Sequence, residues 1–274
     1  MPELPEVETI RCGLEQVLPG RVFAAVEIGY GGSIKDPAAA DVMTRLPGKR
    51  VTGTGRRGKY LQIFLDDDSV LVIHLRMTGQ LVFNEGAAVT DKHTHVVFSF
   101  TDGSTLAFSD IRKFGTIWWV PISRLDHIKG LATLGPEPLS GDFHFSYLNR
   151  EVEKRTVTIK ALLLNQQFLA GLGNIYADEI LHRAQILPQR KARSLSRQER
   201  QHLFSAIRDV LAEAIECRGT SMSDYRDSAG ALGEFQNRLQ VYGRRDQDCP
   251  RCQKKISRSK VAGRGTHYCT SCQH

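Results

Sequence analysis

At 274 residues, with 41% hydrophobic and 24% charged side chains, the chain is long enough for two ordinary domains and too rich in apolar residues for large-scale disorder. No stretch approaches the roughly 20 apolar residues of a membrane span, and Glu3 and Glu6 stand where a secretory signal carries bases, so the expectation is a cytoplasmic protein without a membrane partner. The net charge of +7 is localised: from Arg238 onward nine Lys or Arg face two Asp, which accounts for the whole surplus and suggests a phosphate-binding surface there.

Along the chain, Val7, Ile10, Leu14 and Val17 recur at three- and four-residue spacing and Pro5 suits a first turn, which predicts a helix over about 5–18. From Arg21 to Val120 the pattern changes to short β-rich runs, among them 59–65, 69–75 and 95–100, punctuated by turn formers such as Thr101-Asp-Gly-Ser104. These predict a β-sandwich, and residues 2–120 are read as one domain. Leu134-Gly-Pro-Glu-Pro138 is rich in breakers, so 121–138 reads as a linker. Helical periodicity then predicts helices over about 143–154, 157–168, 174–186 and 196–217, within a second domain at 139–237. Leu169-Ala-Gly-Leu-Gly-Asn174 joins two of them; its glycines permit reversals, Asn174 is suited to cap the next helix, and an exposed helix start is a ready phosphate site.

Residues 238–274 form a third module. Cys249-Pro-Arg-Cys252 and Cys269-Thr-Ser-Cys272 have the doubled spacing of a four-thiolate site for one structural Zn2+, with two redox pairs as the alternative. Cys12 and Cys217 stand alone and read as small buried hydrophobes rather than reactive thiols.

The N-terminus carries a separate chemical possibility. Removal of Met1 before a small residue would leave Pro2 as a secondary amine, and an α-amino group with a pKa near 8 is far more often a free nucleophile at pH 7 than a lysine. Attack on a sugar C1′ would give an iminium cation that acts as an electron sink. Glu3 and Glu6, one turn apart, suit proton transfer and water positioning, although Pro and Glu also commonly open helices.

Six segments give these residues a common context: Met1-Pro-Glu-Leu-Pro-Glu-Val-Glu-Thr9, Arg57-Gly-Lys-Tyr60, His74-Leu-Arg-Met-Thr-Gly79, Asp110-Ile-Arg-Lys-Phe-Gly115, Gly171-Leu-Gly-Asn-Ile-Tyr-Ala-Asp-Glu179 and Val261-Ala-Gly-Arg-Gly-Thr-His-Tyr-Cys269. Together, and in this order, the chain resembles the bacterial formamidopyrimidine-DNA glycosylase family. The resemblance implies an α+β fold: an N-terminal helix with a β-sandwich, a helical helix–two-turns–helix domain and a C-terminal β-hairpin zinc finger. It implies a bifunctional glycosylase and AP lyase that removes 8-oxoguanine and formamidopyrimidines from damaged double-stranded DNA, acting as a monomer.

Carried over by residue, the resemblance makes Pro2 the Schiff-base nucleophile, Glu3 the proton donor and acceptor at the deoxyribose, and Glu6 a residue that orders water. Lys59 serves β-elimination, and Arg264, between two glycines, meets lesion phosphates and assists δ-elimination. His93, Lys154, Asn174 and Tyr242 match DNA-contacting positions. Arg112 faces the orphaned cytosine while Met77 and Phe114 fill the gap left by the extruded base; from periodicity alone Met77 and Phe114 would read as core. The loop over about 220–233, with Ser221, Ser223 and Tyr225, resembles a segment that closes over the flipped purine. Thr78 departs from the family, which often has Glu there. The competing readings are the pyrimidine-preferring endonuclease VIII branch, opposed by Leu4 and the Met77, Arg112, Phe114 set, and a lesion binder or scaffold without catalysis.

Overall fold

The leading helix, α1 (Leu4–Val17), places Leu4, Val7, Ile10 and Leu14 on one buried face. In the computed structural model, which describes residues 1–274, that face closes onto a β-sandwich. Its strands are β1 (Phe23–Ile28), β2 (Ile34–Asp36), β3 (Val51–Arg57), β4 (Tyr60–Leu65), β5 (Ser69–His74), β6 (Gly79–Asn84), β7 (Thr94–Phe100), β8 (Thr105–Asp110) and β9 (Thr116–Pro121), with a short helix α2 (Ala39–Arg45) before β3. Two sheets result, ordered β1-β7-β8-β6 and β2-β9-β5-β4-β3. Neighbours are antiparallel except β2 and β9. Leu61 and Ile63 on β4, and Leu71 and Ile73 on β5, alternate inward and share one core with Phe98, Leu106 and Phe108 of the other sheet. Lys59 falls in the two-residue turn between β3 and β4, where Arg57 pairs with Tyr60 and Gly58 takes a φ of 55°.

Between β9 and the helical region the chain forms a 3-10 stretch, Ile122–His127, and a short helix α3 (Lys129–Ala132), where sequence reasoning expected only a linker. Two compact units emerge: Met1–Ala132 with Cys217–Glu234, and Thr133–Glu216 with Phe235–His274. The first unit is therefore discontinuous. Residues 217–234 belong to it because Tyr225 joins the sandwich core and the Phe83 N–H donates to Ser228 O at 2.8 Å. The uninterrupted 139–237 stretch read from the sequence does not describe this return, which composition does not signal.

The second unit contains α4 (Phe145–Glu153), α5 (Ile159–Leu164), α6 (Asn174–Arg183) and α7 (Arg197–Glu216). Leu203, Ile207, Val210, Leu211 and Ala214 make the buried stripe of α7. α5 stops short of the expected residue 168 because Asn165 Oδ1 accepts the Gln167 N–H at 2.9 Å in a side-chain turn. Gln166 then fastens the reversal into α6: Oε1 accepts the Gly171 N–H at 2.9 Å and Nε2 donates to Leu172 O at 2.7 Å. The last segment contributes a hairpin, β10 (Ser257–Val261) and β11 (Arg264–Tyr268), and a core of only Val241, Ile256 and the cysteines 249, 269 and 272. So small a core requires an additional crosslink. No helix in the structure is long and apolar enough to cross a membrane.

Candidate active site and zinc centre

Pro2 and Glu3 are buried just before α1. Glu6 holds this entry in place: Oε2 accepts the Glu3 N–H at 2.7 Å and Oε1 accepts the Thr220 N–H at 2.7 Å. Both oxygens of the buried carboxylate thus bind backbone, giving Glu6 a structural task beside the water-ordering role expected from resemblance. Gly219 is required here, since its φ is +77° and an added Cβ would stand 2.8 Å from Glu6 Oε1.

The turn carrying Lys59 is fastened to the same helix. Arg56 donates Nε–H to Glu8 Oε2 at 2.7 Å and NH1 to Gly58 O at 3.0 Å, while Thr54 bonds Glu15 Oε2 at 2.6 Å. Burial alone would raise the Glu8 carboxyl, but the hydrogen bonds and charges of Arg11 and Arg56 together hold it below the usual carboxylate range. Lys59 is buried with its neighbours, unlike an ordinary hairpin lysine.

His74, at the end of β5, is an additional positioning group. Burial, reinforced by Arg76 and Lys59, pushes its pKa down to about 3, so the ring is neutral and Nδ1 accepts the Arg76 N–H at 3.0 Å. That bond shapes the turn presenting Met77, in which Arg76 has a φ of 57°. Met77 is 40% exposed and Phe114 52% exposed, which excludes core packing for both. Ile111, at 54% exposure, stands on the same loop as Phe114 and was not singled out from sequence. The Arg112 guanidinium lies 4.8 Å from the Phe114 ring centre.

Asp110 connects these loops. Its Oδ1 accepts the Thr78 hydroxyl at 2.5 Å and the Arg112 N–H at 3.2 Å, and Oδ2 accepts the Gly115 N–H at 2.7 Å. Thr78 Oγ1 in turn accepts the Arg112 N–H at 3.1 Å, and the Asp110 N–H bonds His93 O at 2.9 Å. Thr78, the departure from the family pattern, therefore ties the residue after Met77 to the loop of Arg112 and Phe114. Tyr225 proves to be an anchor of the 217–234 segment: it is buried in the sandwich core, its hydroxyl lies 3.2 Å from Arg218 O, and burial pushes its phenol pKa up. Met222, at 51%, is exposed on that segment instead.

In the second unit, Asn174 is the first residue of α6, and Gly173 occupies the capping position. Its side chain does not cap its own helix, as expected from the sequence, but donates Nδ2–H to Gly265 O at 3.0 Å. The fully buried Lys160 Nζ bonds Asp178 Oδ1 at 2.6 Å and Thr266 Oγ1 at 2.7 Å, and the His267 N–H bonds Asp178 Oδ2 at 2.8 Å. These contacts fix the start of β11, so exposed Arg264 rises from a turn whose other residues, Ala262 and Gly263, have φ of 51° and 74°. A lysine on the apolar stripe of Ile159, Leu162 and Leu163 was the sequence signal for this buried pair. Tyr242 donates its N–H to Glu179 Oε1 at 2.8 Å and packs edge-on to His267 at 5.2 Å. Lys154 ends α4 with its side chain exposed.

The four cysteines converge, their sulfurs all within 4.8 Å of one another. Cys249 and Cys272 are 3.9 Å apart, and Cys252 and Cys269 3.5 Å. Tetrahedral Zn2+ with ~2.3 Å bonds requires about 3.8 Å between sulfurs, so the donor set and its spacing fit one structural zinc ion and not disulfides.

Comparison with known proteins agrees with this geometry. The description "Formamidopyrimidine-DNA glycosylase N-terminal domain" matches residues 1–117, the H2TH domain of the same enzymes matches 134–226, and the "Zinc finger found in FPG and IleRS" matches 246–274. The chain is 48% identical over 273 residues to the formamidopyrimidine-DNA glycosylase of Pelotomaculum thermopropionicum, covering 100% of this chain and 99% of the relative. It is 45% identical to that of Desulforamulus reducens, with the same coverage. Among solved structures, a Lactococcus lactis FPG mutant bound to Fapy-dG DNA superposes with a TM-score of 0.93 at 37% identity, covering 100% of both chains. MutM from Thermus thermophilus gives 0.89 at 41% identity, covering 99% of this chain and 98% of that one.

Proposed function

Since the chain belongs to the formamidopyrimidine-DNA glycosylase family, matching its relatives end to end, we propose a mechanism for its glycosylase and AP lyase activity centred on Pro2. The enzyme repairs 8-oxoguanine and formamidopyrimidine lesions in DNA. With Met1 removed, the Pro2 nitrogen attacks C1′ of the damaged nucleotide; the N–C1′ bond forms as the glycosidic bond breaks, and the base leaves with that electron pair and a proton. Glu3 protonates the sugar oxygen, opening the ring to an iminium. Loss of the C2′ proton into this electron sink expels the 3′ phosphate, and a second elimination expels the 5′ phosphate. Lys59 and Arg264 pair with those phosphates and assist the two eliminations, while Glu6 holds the Pro2–Glu3 entry and orders water.

His93, Lys154, Asn174 and Tyr242 hold the DNA backbone in this reading, Met77 and Phe114 fill the gap left by the extruded base, and Arg112 meets the orphaned cytosine. Residues 249, 252, 269 and 272 hold the structural zinc, which supplies folding energy to the finger. The protein acts in the cytoplasm as a monomer on damaged double-stranded DNA. One observation carries the catalytic assignment: Glu6 spends both carboxylate oxygens on backbone N–H groups that fix the buried Pro2–Glu3 entry.

The test is borohydride trapping on an 8-oxoguanine duplex followed by peptide mapping. A covalent adduct at Pro2 is expected, and an extra N-terminal residue should abolish it while leaving salt-sensitive DNA binding intact. An adduct at another residue, or an unaffected adduct in the extended protein, refutes the mechanism.

A further inference from the structure

The last turn of α6 carries a histidine that neither the catalytic reading nor the zinc ligand set uses. His182 is 2% exposed, and its Nε2 lies 3.5 Å from Cys249 Sγ. A cysteine bound to zinc is a thiolate and can only accept a hydrogen bond, so across this contact Nε2 must carry the proton. We propose that His182 donates Nε2–H to the zinc-bound Cys249 thiolate, and so sets how tightly the finger keeps its metal.

Two features support this assignment. Four thiolates around one dication leave about two negative charges on the site, and an N–H directed at a sulfur draws off part of that charge. Its placement matters as well: His182 lines a cavity of about 240 Å³ together with Glu179, Arg183, Phe235 and Arg251, whereas Cys249 is fully buried and does not line it. The imidazole thus stands between the cavity and the sulfur. It both binds the thiolate and screens it from small molecules that enter.

The two tasks separate by substitution in the full-length zinc-loaded protein. His182→Phe keeps the bulk and removes the donor; His182→Gln keeps a donor. The readout is the rate of zinc transfer to a chromophoric chelator, beside the rate of alkylation at Cys249. Phe should release zinc about tenfold faster or more, with Gln nearer the parent. Wild-type release and alkylation rates in His182→Phe overturn the proposal. If that variant fails to fold, the parent protein loaded with 113Cd decides: coupling from cadmium through sulfur to the Nε2 proton is expected, and an imidazole protonated only on Nδ1 refutes the bond.

Discussion

Lys160 and Asp178 allow a quantitative test of how the hairpin bearing Arg264 is held. Both side chains are 0% exposed, and the ammonium makes its 2.6 Å and 2.7 Å bonds to Asp178 and Thr266 with no water to replace them. Lys160→Met preserves length and bulk but leaves a buried carboxylate without its ammonium partner, facing the His267 N–H at 2.8 Å and the His267 ring Nδ1 at 3.5 Å. Breaking one side of a buried pair costs about 3–5 kcal/mol. At roughly 3–5 °C per kcal/mol for a unit of this size, its Tm should fall by about 9–25 °C in scanning calorimetry. Hydrogen exchange at residues 265–267 should accelerate alongside. Lys160→Met combined with Asp178→Leu should recover most of the loss, short of about 1 kcal/mol for the bared His267 N–H, because no charge is left unpaired. A single-variant loss under ~1 kcal/mol, or a double variant as unstable as the two single changes summed, refutes the reasoning.

Thr78→Ala removes the hydroxyl shared by Asp110 and the Arg112 N–H and should cost about 1 kcal/mol. It should also raise KM and weaken the preference for cytosine opposite the lesion, with Thr78→Ser restoring both; unchanged opposite-base discrimination in Thr78→Ala contradicts the proposed link. His74 has a folded pKa near 3, below its ordinary 6.5, so the unfolded chain binds its proton first as the pH falls. The stability it contributes is fully present above about pH 6.5 and is lost progressively toward pH 3. In urea titrations across that window the parent should weaken by a few kcal/mol more than His74→Gln, and parallel curves would show that His74 does not titrate as the geometry requires.

The sequence made some parts of this molecule plain and hid others for physical reasons. β4 and β5 were legible as short β-rich runs bounded by turn formers, whose Leu61, Ile63, Leu71 and Ile73 reach one core, and the zinc site because four thiolates need a spacing that has few other uses. Met77 and Phe114 were not legible from periodicity, since an exposed apolar wedge and a core residue have the same composition; only resemblance separated them. The buried connectors were hidden for a different reason. Glu179 and Asp178 act through hydrogen bonds to backbone groups distant in sequence, and no local pattern encodes such partners. Asn174 shows how an apparent local signal misleads: a suitable capping residue is drawn away by the carbonyl of Gly265, far along the chain.

The zinc module grips α6 at both ends. Asn174 and Asp178 bind the hairpin near the helix start, while beyond its last turn Gln273 Nε2 donates to Ile186 O at 2.8 Å and the His274 N–H to Gln185 O at 3.0 Å. Metal occupancy and the setting of the helix start are consequently coordinates of one equilibrium. Reciprocity then applies: an anion that favours the ordered pairing of Asn174 with the hairpin must tighten the hold on zinc by the same factor by which zinc tightens the hold on that anion. The finger is in this sense an occupancy gauge for the surface it supports, and chelator resistance in the presence of DNA measures the coupling directly.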